Sequence, residues 1–263
     1  MKKLYLIILL GISATIFAQE KGIIYYGFVD ALANGNANGP DYNAYMTFNK
    51  DQSYYVTAKD SLENPAKKNE QKAYLKEGGG GMISNSMAGS PQGNQVVYNI
   101  KQKTVWSNFE YKKQVYVKED ATKFVWKIVS ETKKIGSFVC KKATTTFRGR
   151  NYIAWYAPNI PVSFGPWKLN GLPGLILEAY DTNKKAYWYF KSVEYPTKNK
   201  ENVNNIRKQK NEKISFITID DFKKFQIETR EKMKDRMAIM KKQMPDVDFE
   251  ASELSEMFIE IFE

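Results

Sequence analysis

Gly165-Pro-Trp-Lys-Leu-Asn-Gly-Leu-Pro-Gly-Leu-Ile-Leu-Glu178 sets three glycines and two prolines against an unbroken apolar run. Glycine and proline fix turns and let backbones approach closely, while Leu175, Ile176 and Leu177 have the composition of a buried strand. Gly165, Pro166, Gly171, Leu172, Pro173, Gly174, Leu175 and Ile176 therefore read as a structural motif, a turn-framed lead into a central strand. Its residue types announce no reaction.

The strand character continues on both sides of this motif. Lys185 to Val193 pairs with Leu175 to Ala179 across the turn Asp181-Thr182-Asn183-Lys184, and Tyr152 to Tyr156 precedes the motif as an aromatic strand. Further upstream, Gly22–Val29, Asn43–Phe48, Ser53–Ala58, Asn94–Asn99, Thr104–Phe109, Tyr111–Val117, Phe124–Val129 and Ile135–Lys142 are short, aromatic-rich and separated by turn residues. Little helix lies between them, which predicts an antiparallel meander rather than alternating strands and helices. Residues 60–93, with Gly78 to Gly81, read as a flexible insertion; the glycine run lacks the Gly-Lys-Ser/Thr of a phosphate loop. Ile214 to Thr218 offers one more short strand. A C-terminal helix over 221–244 is free of Gly and Pro, capped by Asp220 or Asp221, stopped by Pro245 and followed by an acidic tail, 245–263. The fold class is mainly β (α+β).

Composition narrows the chemistry. The chain has no histidine and one cysteine, which removes a Ser-His-Asp triad, histidine acid–base steps, zinc sites built on histidine or a thiolate cluster, and any internal disulfide. No cofactor or metal is indicated. Cys140 reads as a small buried hydrophobe. Lys2-Lys3, the apolar run from Leu4 and Ala18 have the layout of a secretory signal over residues 1–18, leaving one domain over 19–263. Its removal lowers the formal charge from +11 to +9. That balance suits anionic lipid, polysaccharide or an acidic partner, whereas nucleic-acid motifs are lacking. No mature segment reaches membrane-spanning length, so membrane contact would be peripheral.

Three groups of residues can carry binding. Arg148 and Arg150 bracket Gly149 beside Trp155 and Tyr156, a fork next to a stacking surface; the structural alternative is ion pairs to a carboxylate such as Glu178. Met233, Met237, Met240 and Met244 fall on one helical face, suited to covering a sheet or lining an apolar groove, with Cu(I) as a weaker reading. Glu178, Asp181 and Glu194 are rim carboxylates unless two of them face each other across a cleft. Asp246, Asp248, Glu250 and Glu253 lack the glycine and spacing of a calcium loop.

Gly171-Leu-Pro-Gly-Leu-Ile176 matches the hexapeptide of the GLPGLI family of exported Bacteroidetes proteins. Cys140-Lys-Lys-Ala143, Phe147-Arg-Gly-Arg150, Ala154-Trp-Tyr-Ala-Pro158, Ile160-Pro161 and Gly165-Pro166 resemble it too, in the same order. The resemblance implies an exported protein, in the periplasm or outside the cell. The fold it implies is a curved antiparallel sheet or half-barrel covered by the long C-terminal helix, similar to periplasmic lipoprotein carriers. It carries no catalytic role. The expected function is a non-enzymatic envelope protein binding a lipid, an apolar or amphipathic small molecule, or an envelope protein. The alternatives are a carboxylate-based hydrolase of envelope or extracellular polymer, or a purely structural interaction module.

Overall fold

Twelve strands precede one helix in the computed structural model, which describes residues 21–32, 39–59, 62, 92–111, 113–200, 203, 214–243 and 258–262. The expected signal segment, nearly all of the expected 60–93 insertion, Met244 and most of the expected tail lie outside them. The strands are β1 (Gly22–Asp30), β2 (Asp41–Phe48), β3 (Gln52–Thr57), β4 (Asn94–Asn99), β5 (Thr104–Tyr111) and β6 (Lys113–Asp120). Then come β7 (Lys127–Ile135), β8 (Phe138–Phe147), β9 (Arg150–Ala157), β10 (Leu175–Asp181), β11 (Ala186–Glu194) and β12 (Phe216–Ile217), followed by α1 (Ile219–Gln243).

All twelve strands form one open sheet in the order β12-β6-β5-β4-β3-β2-β1-β11-β10-β9-β8-β7, with β12 and β7 as its edges. Each pairing is antiparallel except that of β12 with β6. From β1 in the middle of the sheet the chain meanders out to β6, crosses to the far edge through residues 121–126, and meanders back until β11 pairs with β1. The mostly β, antiparallel expectation holds, including the pairing of β10 with β11. Two expected strands shift: Phe124–Val129 gives way to β7 at Lys127–Ile135, and Ile135–Lys142 to β8 at Phe138–Phe147. Phe124 and Trp126 belong to the crossing segment, where they stack on each other and the Trp126 indole N–H donates to Asn170 O at 2.7 Å. Their apolar rings serve packing rather than a ladder.

The 158–174 segment lies over one face of the sheet, here the inner face. Phe164, Leu169 and Leu172 are almost wholly buried. Trp167 stacks on Trp188 of β11 at 5.9 Å, and Phe164 meets Tyr98 of β4 edge-on, also at 5.9 Å. Burial of each such side chain is worth about 1.5–3 kcal/mol, so this segment is a substantial part of the core. It is pinned to β10 by the Leu175 and Ile176 N–H groups, which donate to Ile160 O and Phe164 O. Gly174, at φ +156°, permits that approach: a Cβ there would sit 2.4 Å from Ala157 O. The motif is thus more than a lead into a strand, since it supplies the inner face with its cover.

Long side chains tie distant strands together on the same face. The Tyr26 hydroxyl on β1 donates to Ile176 O on β10, and the Trp188 indole on β11 donates to Tyr55 Oη on β3 across two intervening strands. On the opposite, outer face, Ile23, Tyr45, Tyr54, Val56 and Val97 form a second apolar cluster with Leu62 and Trp106 beside it.

α1 begins two residues earlier than the sequence suggests. Thr218 caps it: its hydroxyl donates to Asp221 Oδ2 at 2.7 Å and accepts from the Asp221 N–H, a reciprocal capping arrangement. Those bonds lower the Asp221 pKa. Phe222, Gln226 and Thr229, spaced four and three apart, form the buried stripe. With Val115 and Val117 of β6, Phe222 and Phe262 make a third apolar cluster. The helix therefore packs at the β6 end of the sheet. Met233, Met237 and Met240 lie farther along it, half-buried, and belong to none of the three clusters.

Candidate functional site

The inner face holds a buried charge cluster. Glu119, opposite Val105 in the β5–β6 ladder, points inward. Lys168 arrives from the covering segment, Arg148 from the β8–β9 turn and Glu260 from the C-terminal segment. The Lys168 ammonium lies 2.5 Å from Glu119 and 2.8 Å from Glu260. Arg148 is bonded to Glu119 and lies 3.4 Å from Glu260. Beside it, Arg150 pairs with Asp181 at 3.1 Å and donates to Phe258 O at 2.7 Å and Ile259 O at 3.1 Å. Two cations balance two carboxylates in the first group, and one balances one in the second. A cavity of about 10 Å³, the room of about one water molecule, is lined by Glu119, Lys168, Phe124 and Phe147. Chemically the cluster is a tie: it fastens β6, the covering segment and the C-terminus around the β8–β9 turn.

Arg148 and Arg150 thus do form ion pairs, but not with Glu178. The β9–β10 register sets Asp181 opposite Tyr152 and Glu178 opposite Trp155, so alternation sends Asp181 inward and Glu178 outward. Glu178 pairs instead with Lys133 at 2.6 Å. Another inner carboxylate, Asp30, is held above its ordinary range by burial, against the opposing influence of the Leu32 N–H and the Arg150 charge.

The outer face across β9, β10, β11, β1 and β2 is aromatic and polar. Trp155 carries the Lys133 ammonium 4.5 Å above its ring. Tyr180 lies directly across from Tyr187 in the β10–β11 ladder, with ring centroids 5.6 Å apart, and Tyr187 is 5.8 Å from Tyr189. All three tyrosines are half-buried. The Tyr189 hydroxyl donates to Asp41 Oδ2 at 2.8 Å, and Lys191 donates to Asn43 Oδ1 at 2.6 Å. Burial pushes both the Tyr187 and Tyr189 hydroxyls up to about 12, with nearby carboxylates adding to it.

The residues singled out from sequence are therefore split. Arg148 and Arg150 are inside with the charge cluster. Tyr156 is buried, and Trp155 is a largely covered member of the outer face. The three methionines are apart from both on α1. Cys140 is buried, and burial raises its thiol to about 11. Glu119, Lys168, Glu260 and the Tyr180–Tyr187–Tyr189 group were not singled out. The tyrosines left a signal in the alternation of Tyr187-Trp188-Tyr189 around the turn from Tyr180. The charged trio left none, because its members are brought together only by tertiary packing.

Among the described residues, no cluster of three or more His, Cys, Asp or Glu is gathered for a metal ion, and no helix is long and apolar enough to cross a membrane. Residues 148–178 match the family model described as a protein of unknown function (Porph_ging). That stretch comprises the β8–β9 turn, β9, the covering segment and the first half of β10. It holds the hexapeptide of the Bacteroidetes-associated resemblance. No protein of curated function matches the chain. Among solved structures, PNGF-II in space group P21 is similar with a TM-score of 0.48 at 17% identity, over 78% of this chain and 32% of that one. PNGF-II in space group C2 gives 0.48 at 16% identity over the same shares. The chain spans about a third of the length of those structures.

Proposed function

We propose that the protein is an exported interaction module, non-enzymatic, which holds its partner on the outer surface of a curled sheet. The observation that carries this reading is the filling of the inner face by Phe164, Trp167, Leu169 and Leu172. In a carrier that space would receive the ligand; here the chain's own segment occupies it. A ligand enclosed by the sheet gives way to a partner at the surface.

A half-barrel curvature is part of the proposal, and connection length supports it. β6 and β7 stand ten places apart in the strand order, about 48 Å in a flat sheet at about 4.8 Å per strand. The six residues 121–126 that join them reach about 25 Å at most. Contacts between Glu119 on β6 and Arg148 beyond β8 point the same way.

The hydrolase alternative needs one protonated acid facing an ionised group across open space. The inner carboxylates Glu119, Glu260 and Asp181 are each committed to cations, and the half-buried Asp30 accepts from the Leu32 N–H at 3.2 Å. A basic body with lysines on the outer face supports an anionic partner.

Native mass spectrometry of the protein purified from its own envelope, together with envelope retention at rising salt, tests the proposal. The expected result is the mass of the bare chain and release as salt screens the contact. A stoichiometric co-purifying lipid would overturn it.

A further inference from the structure

The geometry points to a binding surface for an acidic polysaccharide, one bearing uronic acid residues, on the Tyr180–Tyr187–Tyr189 face. This inference rests on the outer-surface reading above and deepens it.

The three rings form a continuous group, with centroid separations of 5.6 and 5.8 Å. Their placement is built rather than incidental. The Tyr189 ring occupies the space that a side chain at position 27 would fill: a Cβ on Gly27 would lie 2.0 Å from it. The Asp41 carboxylate then holds the Tyr189 hydroxyl from the neighbouring part of the sheet.

The charges around the rings are unequal in their commitments. Asp41 is bonded to Tyr189, Glu178 to Lys133, and Glu131 to Lys142 at 2.9 Å. Lys184 lies over Tyr180 and Tyr187, at 5.6 and 5.9 Å, and Lys191 lies over Tyr189 at 5.6 Å. Neither ammonium has a carboxylate within ion-pair distance among the described residues. Both lysines are exposed, and Lys191 would exchange its hydrogen bond to Asn43 Oδ1 for the ligand.

This combination selects the ligand. A pyranose ring presents an apolar C–H face, which an aromatic surface accepts, and a rim of hydroxyls for hydroxyl, amide and ammonium groups. A uronate adds the carboxylate that Lys184 and Lys191 lack. Protein partners are instead gripped mainly by anchors seated in desolvated pockets, whereas these rings lie on a sheet face among lysine, aspartate and asparagine.

The test is titration calorimetry of the mature chain with polygalacturonate, dextran and polyglutamate at low and high salt. Polygalacturonate should bind and weaken with salt, with dextran and polyglutamate at least tenfold weaker. Tyr187→Ala should lower affinity for polygalacturonate about tenfold. Lys184→Gln with Lys191→Gln should lower it about tenfold at low salt and flatten the salt dependence. Circular dichroism verifies folding, and the exposed lysine pair keeps the test decisive if the ring variant unfolds. Polyglutamate binding as tightly as polygalacturonate would overturn the sugar assignment. So would dextran binding equally without salt dependence, or unchanged binding in the lysine pair. If no probe binds while the envelope still retains the lipid-free protein, this inference fails and the interaction-module reading stands. A bound lipid inside the sheet would instead defeat that reading.

Discussion

Replacing Lys168 by methionine removes the ammonium that joins Glu119 and Glu260 and keeps most of the side-chain volume. Lys168 and both carboxylates have side chains about 4–6% exposed, so solvent cannot take over the lost partner. Breaking a buried ion pair by deleting one member costs about 3–5 kcal/mol, because a charge is left buried without compensation. Arg148 still reaches both carboxylates, which places the expected loss near the lower end, about 3 kcal/mol. Urea unfolding followed by tryptophan fluorescence would report it. With a slope of about 3 kcal/mol per molar for a chain of this size, the midpoint should fall by about 1 M. Glu260→Gln in the same background restores one cation to one carboxylate. The double variant should therefore lose clearly less than the sum of the two single losses, by at least about 1 kcal/mol. A Lys168→Met protein within about 0.5 kcal/mol of the parent, or strict additivity in the cycle, would refute the cluster as an energetic tie.

Gly174→Ala forces a Cβ to 2.4 Å from Ala157 O at φ +156° and should cost about 3 kcal/mol or more; an unchanged melting temperature would count against the close approach. Cys140, with its thiol raised to about 11 by burial, should resist a small alkylating reagent near neutral pH and react once urea unfolds the chain; prompt labelling of the folded protein would contradict this. Tyr187 and Tyr189 should keep their protons to about pH 12, while unfolded tyrosines ionise near 10. Between those values the folded state binds more protons, so stability should fall as pH rises past about 10. Phenolate absorbance and alkaline melting curves check both points. Truncation after Met257 removes Glu260 together with the Phe258 and Ile259 carbonyls that Arg150 uses and the Phe262 ring under α1. Loss above about 4 kcal/mol is expected, and a truncated chain of parental stability would show that the tie is dispensable.

Much of the sheet was legible because its determinants are local. β4 coincides with the Asn94–Asn99 run, and β1, β2, β3 and β9 fall within two residues of theirs. The β7 boundary failed where Phe124 and Trp126 satisfy strand composition but pack against the covering segment, a choice that alternation cannot reveal. The helix cap lies two or three residues before the expected Asp220 or Asp221. Aspartate and threonine are both good caps, and the spacing Thr218 to Asp221 settles which of them bonds to which.

The sequence by itself determined the mainly β character, the positive charge and the exclusion of histidine and multi-cysteine chemistry. It also singled out the turn-rich stretch from Gly165 to Glu178. These follow from residue type and short-range spacing. The tertiary structure decided that this stretch covers the inner face, that Arg148 and Lys168 share two carboxylates far apart in the chain, Glu119 and Glu260, and that Asp181 and Glu178 point to opposite faces. It also gathered Tyr180 and Tyr187 beside Tyr189, which lies over Gly27 and bonds Asp41 on the outside. Those arrangements depend on strand register and on which edge each meander reaches. Both are fixed only when the whole sheet assembles, because a one-residue change of register turns every side chain of a strand to the other face.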